Sequence, residues 1–227
     1  MTKMKTFIIY NEPNPKSKDI ANSCLESFSN FNSWEPILFD GCNPNTLKIY
    51  QEKYKIKDDR TQWKSDHIRY KSKKSCFYSH FELWLKAIEL NETIAIVEHD
   101  TYCVLDLPED LEFNGVLQLT VESASCLILR RIREESYETI MEKGDGIHDM
   151  CTKPNESGHI SLISGTGYAI TPEAAKIITE DCFKNGWQQN DMLLTTEYFS
   201  ISYLLPSPIV YDKEKELGTS INYNNGK

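Results

Sequence analysis

The residues with the most chemistry in their arrangement are Glu98-His99-Asp100, directly after the apolar run Thr93–Val97. A continuous apolar run of that kind reads as a strand covered on both faces. In open α/β sheets ligands gather beyond the carboxyl ends of the strands. In an extended segment the side chains at i and i+2 share a side, so Glu98 and Asp100 would face the same way. Two neighbouring carboxylates repel, and a hard divalent cation, Mn²⁺ or Mg²⁺, relieves that repulsion and can bridge to a diphosphate. The competing reading is a strand end that puts its acids into solvent. His80, on a segment with a helical apolar stripe, is either a residue facing a ligand or a buried structural histidine. Asp191 follows Gln188-Gln189-Asn190 and precedes Met192-Leu193-Leu194, a place for a helix N-cap or a general base.

Other chemistries have little support. His148, Cys151 and His159 do not have zinc-site spacing. Gly165-x-Gly167 is followed by Ile170 where a dinucleotide fingerprint needs a small residue. Ser161 and Ser164 are not framed as a hydrolase nucleophile elbow, and there is no P-loop. Seven cysteines, with no C-x-x-C pair, read as reduced thiols. The balance of 25 basic and 34 acidic residues, a net charge of −9, disfavours general binding to nucleic acid or anionic membrane. Against that background Arg60, Lys64, Arg69, Lys71, Lys73 and Lys74 form a local basic stretch, interleaved with Trp63 and Tyr70. Arg130, Arg131 and Arg133 form a second. Each is either a patch for a phosphate-bearing ligand or acceptor, or a solvated face.

These residues need elements to position them. Phe7–Tyr10 reads as a buried strand, Lys18–Phe28 as a helix and Trp34–Asp40 as a second strand closed by Gly41. Strand, helix, strand in that order implies a parallel crossover and an α/β layer fold. Residues 43–74 have no clean period. Phe77, Phe81, Trp84, Leu85 and Ile88 make one helical stripe, starting at Ser79 as the cap of a capping box or earlier, near Ser75. Val116–Leu119, Cys126–Leu129, Ile160–Ile163 and Tyr168–Ile170 are strand candidates, and Glu142–Ser157 reads as a loop. Thr171-Pro172-Glu173 starts a helix that Asn185-Gly186 stops. The N-terminal segment lacks the apolar core of a secretory signal, and no run suits a membrane span, so a cytoplasmic protein is expected.

Several segments, in order, resemble glycosyltransferase family 25. They are Ser75-Cys76-Phe77-Tyr78-Ser79-His80, then Ile94–Val97 running into Glu98-His99-Asp100, and Phe39-Asp40-Gly41. Gly165-Thr166-Gly167-Tyr168-Ala169-Ile170-Thr171-Pro172-Glu173-Ala174-Ala175, an acid at Asp191, and Pro208-Ile209-Val210 with Ser220-Ile221 complete the set. The resemblance implies a GT-A fold, a Rossmann-like α/β/α sandwich with a mostly parallel sheet, as one domain over residues 1–211 with a polar tail over 212–227. It implies a metal-dependent, inverting transferase that uses a nucleotide-sugar donor. Glu98 and Asp100 match the metal and diphosphate motif, Asp191 the base, and Ser79 and His80 the helix beside the donor. Tyr10, Asn11, Asp40, Gly165 and Thr166 fall at donor-binding positions. The acceptor is open between a bacterial glycan, such as a lipooligosaccharide precursor, and a hydroxymethylated base in DNA. A non-catalytic nucleotide-sugar-binding module is the alternative. The chain departs from the family pattern at His99, an acid there, at Ser75, a glycine there, and in lacking arginines after the first strand.

Overall fold

The computed structural model describes residues 3–61, 64–121, 140–151, 154 and 157–211. Cys126–Leu129, the arginines at 130, 131 and 133, Trp63, Ser220-Ile221 and the 212–227 tail lie outside them. The chain builds β1 (Met4–Tyr10), α1 (Pro15–Ser27), β2 (Trp34–Asp40), α2 (Leu47–Tyr54), α3 (Tyr70–Leu90) and β3 (Ile94–Glu98). It continues with β4 (Thr101–Cys103), β5 (Val116–Gln118), β6 (Gly146–Asp149), β7 (Gly167–Ile170), α4 (Pro172–Asn185), α5 (Asn190–Leu193), β8 (Ile201–Leu205) and β9 (Ile209–Tyr211). Seven strands form one sheet in the order β2-β1-β3-β7-β5-β8-β6, and β4 pairs with β9 beside it. β2, β1, β3, β5 and β8 run one way, and β7 and β6 run against them.

Strand alternation divides the core in two. Phe7, Ile94, Ile96, Tyr168 and Ile170 face one layer with Phe77, Phe81 and Trp84 of α3 and Ala174, Ala175 and Ile178 of α4. Ile8, Ala95, Val97, Leu117 and Ala169 face the other, with Ala21 and Cys24 of α1. A strand buried on both faces needs this unbroken apolar run, which is why β3 was legible. The expected Rossmann-like α/β sandwich is therefore the fold, and the β1–α1–β2 crossover is parallel as expected.

Local signals place most helix ends. The Asn14 side chain accepts from Lys16 and Ser17 main-chain N–H, with Pro15 opening α1, three residues before the expected start. Thr171 Oγ1 accepts from Ala174 N at 3.3 Å and caps α4, and Gly186 ends it at φ +90°.

Three expectations are corrected. α3 begins at Tyr70, so Ser79 is no cap. Its hydroxyl donates to Ser75 O at 3.1 Å, one turn back inside the helix. The early turns were hidden because Lys71, Lys73 and Lys74 interrupt the apolar pattern. The 142–157 segment contains β6, which among the described residues is an edge strand paired with β8. Ile160–Ile163 forms only the bridge Ser161–Thr195, its main chain being bonded to residues 194 and 196.

Gly115 is the tightest backbone position that starts a strand. It sits at φ +78°, where an added Cβ would press into the Ser200 carbonyl, while its own carbonyl accepts from Thr171 N at 3.0 Å. Left-handed backbone costs roughly 1–2 kcal/mol for a residue with a Cβ, and the clash adds to it. Gly115→Ala should destabilise by about 3 kcal/mol and lower Tm by about 6–12 °C, measured by thermal unfolding.

Candidate active site

The site gathers at the carboxyl ends of β1 and β3. Glu98 is held from both sides of β3: its own N–H donates to Thr166 O at 2.9 Å, and that of His99 donates to Ile9 O at 3.1 Å. The helix α3 contributes Lys73, Cys76, His80 and Trp84, spaced by three or four residues and so on one face. β7 contributes Tyr168, paired in register with Ile96. Trp84 Nε1–H donates to the Tyr168 hydroxyl oxygen at 2.8 Å, and that hydroxyl pairs with His80 Nδ1, also at 2.8 Å. The His80 and Tyr168 rings are nearly parallel, at 10°. His80 is 1% exposed, and its Nε2 lies 3.9 Å from Glu98 Oε1 with no hydrogen-bond partner.

Electrostatics divide the acids. Burial would push the Glu98 carboxyl up, but His80, His99 and Lys73 outweigh it and hold it below the ordinary range. Its side chain is still 32% exposed. Asp191 goes the other way. Burial pushes it above the ordinary value, and Glu98 adds to this, with Lys73 and His80 opposing. Burial lowers His99 and favours the neutral imidazole.

The expected site residues fall into three groups. Glu98, His80 and Asp191 come within reach of one another's charge, joined by Lys73. A Cβ added at Gly165 would touch both His80 and Asn190 at 3.9 Å, so this backbone lines the same space. Thr166 follows it, its Oγ1 3.0 Å from Ser164 Oγ. Tyr10 and Asn11 stand at the end of β1, with Asn11 N bonded to Ser17 Oγ at 3.0 Å and the Asn11 Oδ1 buried without a hydrogen bond. Asp40 is exposed at the end of β2, and its Oδ1 accepts from Glu12 N at 2.9 Å, which shapes the β1–α1 loop.

Other placements differ from expectation. Asp100 is not in extended chain. Residues 99 and 100 form the turn into β4, so strand alternation does not relate its side chain to that of Glu98. Asp191 is not the N-cap of α5; Gln189 holds that place and Asp191 lies in the first turn. Ser79 is buried, its hydroxyl directed to the carbonyls of Ser75 and Cys42 at 3.1 and 3.4 Å, and it packs tightly under Gly41. It braces the β2 end on α3 rather than facing a donor. Lys74 leaves the basic patch altogether: it is 2% exposed and bonded to Asp58 Oδ1 at 2.6 Å and the Tyr70 hydroxyl at 3.0 Å. Lys64, Arg69 and Lys71 are exposed.

Sequence reasoning missed Cys76, Asn190 and Gln118. Gln118 is buried in β5, and its amide accepts from Ile163 and Ser164 N–H and donates to the carbonyls of Ser164 and Gly167, clamping the loop that carries Gly165 and Thr166. Nothing local marks it. Cys76 and His80 at i and i+4 on a helix were a readable signal.

A mixed sheet with acids at the mouth of a central strand, faced by a helix histidine and a further, half-buried acid, defines a Rossmann-like α/β enzyme with a ligand site at the strand ends. The chain belongs to glycosyltransferase family 25. The family model, described as glycosyltransferase family 25 (LPS biosynthesis protein), matches residues 16–193. Membership makes the protein a glycosyltransferase and implies a nucleotide-sugar donor and an acceptor. No curated protein matches the chain. Among the described residues no helix is long and apolar enough to cross a membrane.

Proposed function

We propose that the protein transfers a sugar from a nucleotide-sugar donor to a hydroxyl of a saccharide acceptor, by a single displacement that inverts the anomeric carbon. The observation that carries this reading is Asp191, a half-buried acid in the first turn of α5, raised in proton affinity and within electrostatic reach of Glu98 and Lys73. A general base works best when its pKa is drawn toward the operating pH. Asp191 takes the proton of the acceptor hydroxyl as its oxygen bonds to the anomeric carbon. The bond from that carbon to the phosphate oxygen breaks, and the nucleoside diphosphate leaves.

Tyr10 and Asn11 border the nucleotide, and Gly165 and Thr166 border the donor opposite them. Glu98 is ionised and partly open, as a ligand to a hard cation must be, and with Asp100 it would hold Mn²⁺ or Mg²⁺. A bound cation would neutralise charge on the departing diphosphate. Burial favours the neutral form of His99, so the imidazole adds little positive charge to this motif. Lys73 supplies positive charge from the helix side.

The saccharide acceptor is favoured over a DNA base by what has become of the basic stretch. Lys74 is buried on Asp58, Arg60 is paired with Asp181 and Tyr198, and Tyr70 packs edge-on against Trp187. A stacking platform among cations needs these groups free. The family's description as an LPS biosynthesis protein points the same way.

The neighbouring lysines separate function from stability. Lys74→Met should destabilise by about 1.5–3 kcal/mol, the worth of hydrogen bonds to a charged group, with little change in KM. Lys73→Met should stay within about 0.5 kcal/mol of the parent while raising donor KM about tenfold. Denaturant melts and steady-state kinetics check both.

The reading is tested with a panel of nucleotide sugars, with and without Mn²⁺, by thermal shift and donor hydrolysis. One donor should raise Tm by mass action and be hydrolysed slowly, and the protein should not be retained on DNA–cellulose at low salt. A Tm shift with no hydrolysis under any divalent ion would favour the binding module, and no shift with any donor would defeat both readings.

A further inference from the structure

The geometry points to a binding site for a divalent transition-metal ion of the zinc type, built from the Cys76 thiol, the His80 imidazole and the Glu98 carboxylate, one ligand atom from each lying within 4.8 Å of the others. It is distinct from an oxygen-only cation on Glu98 and Asp100, and it stands whether or not the transfer reaction is as described above. Zinc sits about 2.0–2.3 Å from such atoms, which places tetrahedral ligands roughly 3.3–3.8 Å apart. Closing the cluster therefore takes movements of about 1 Å. A sulfur, nitrogen and oxygen set prefers Zn²⁺ or Co²⁺ to Mg²⁺ or Mn²⁺.

Four observations converge on it. Cys76 and His80 are i and i+4 on the long helix α3, so their separation is fixed by a rigid element. His80 Nε2 is buried and without a hydrogen bond, 3.9 Å from Glu98 Oε1; leaving a buried nitrogen unsatisfied is costly, and an ion removes that cost. The ligands have outer support. The Tyr168 hydroxyl holds His80 Nδ1, and its oxygen has lone pairs for both this ring N–H and that of Trp84. Asn190 Nδ2–H donates to Cys76 Sγ at 3.5 Å and partly offsets the burial that raises this thiol. Finally, Glu98 keeps an open side through which an ion and a fourth ligand, water or phosphate, can enter. Binding displaces the thiol proton, one per ion.

The test titrates metal-free protein with Co²⁺. We expect one equivalent to produce an intense near-ultraviolet thiolate-to-cobalt charge-transfer band that Zn²⁺ abolishes by displacement. Cys76→Ser should remove the band. His80→Gln and Tyr168→Phe should weaken binding about tenfold or more, and Asp100→Ala should leave the spectrum unchanged. In the parent protein, Zn²⁺ but not Mg²⁺ should protect Cys76 from iodoacetamide, read by peptide mass spectrometry, so the outcome does not depend on a variant folding. No charge-transfer band, a band that survives Cys76→Ser, or equal alkylation with and without Zn²⁺ would overturn the assignment. None of these readouts uses transferase activity, so a failure here is separable from a failure of the transfer mechanism.

Discussion

Asp191→Asn should cut sugar transfer by about 10²–10⁴-fold, the usual worth of a general base, while donor affinity stays near that of the parent. That loss corresponds to about 3–5 kcal/mol of barrier. The same substitution should raise thermal stability at neutral pH. The folded-state pKa of Asp191 lies above its ordinary value of 3.8. Its protonated form is therefore the one that folding favours, and the stability that proton brings is lost as pH rises through the folded pKa. At pH 7 the parent carries a half-buried carboxylate at a cost that asparagine does not. The gain should shrink as pH falls below the ordinary carboxylate range. The acidic limb of kcat/KM should sit above that range in the parent, where Asp191 loses its proton. Melting curves across pH and a pH–rate profile check both. A variant that transfers normally would reassign the base.

The second large effect is at Glu98. Glu98→Gln keeps shape and removes charge, and should lower transfer by about 100-fold or more, beyond the 10–100-fold typical of residues that merely support a ligand. Its stability effect has the opposite sign. The folded pKa is depressed, so the carboxylate contributes stability at neutral pH that is lost as pH falls through that pKa. Glu98→Gln should therefore melt slightly lower than the parent at pH 7 and converge with it in acid. Two acids of one pocket would thus shift stability in opposite directions when neutralised. Thermal melts at matched pH, with steady-state transfer rates, test the pair. Equal signs would mean that the two carboxyls do not sit in the environments described.

Much of the frame was readable because burial on both faces leaves a strong pattern. Ile94–Val97 is buried along its whole length and reads as a strand at once, Phe7–Tyr10 and Trp34–Asp40 are apolar runs closed by turn residues, and Thr171-Pro172-Glu173 carried a cap, a first-turn proline and an acid in sequence. The site was readable in part. Glu98, His80 and Asp191, all singled out in the sequence, lie within reach of one another's charge. Asp100 was misjudged because the alternation argument assumes an extended chain, and the chain turns at His99. Lys74 was misjudged because charge in sequence says nothing about a carboxylate sixteen residues away: Asp58, Tyr70 and Trp187 take that ammonium and its neighbourhood into the interior.

Taken alone, the order of residues determined the strand–helix–strand frame, the location of an acid pair after a buried strand, and the family. Those depend on periodicity and on short-range turn chemistry, which act within a few residues. Only the tertiary structure decided which acid is lowered and which is raised in proton affinity, where the lysines face, and that a thiol, an imidazole and a carboxylate meet. These depend on burial and on partners from α3, β3, β7 and α5 that are neighbours only in space, and both charge and hydrogen bonding are set by that local surrounding.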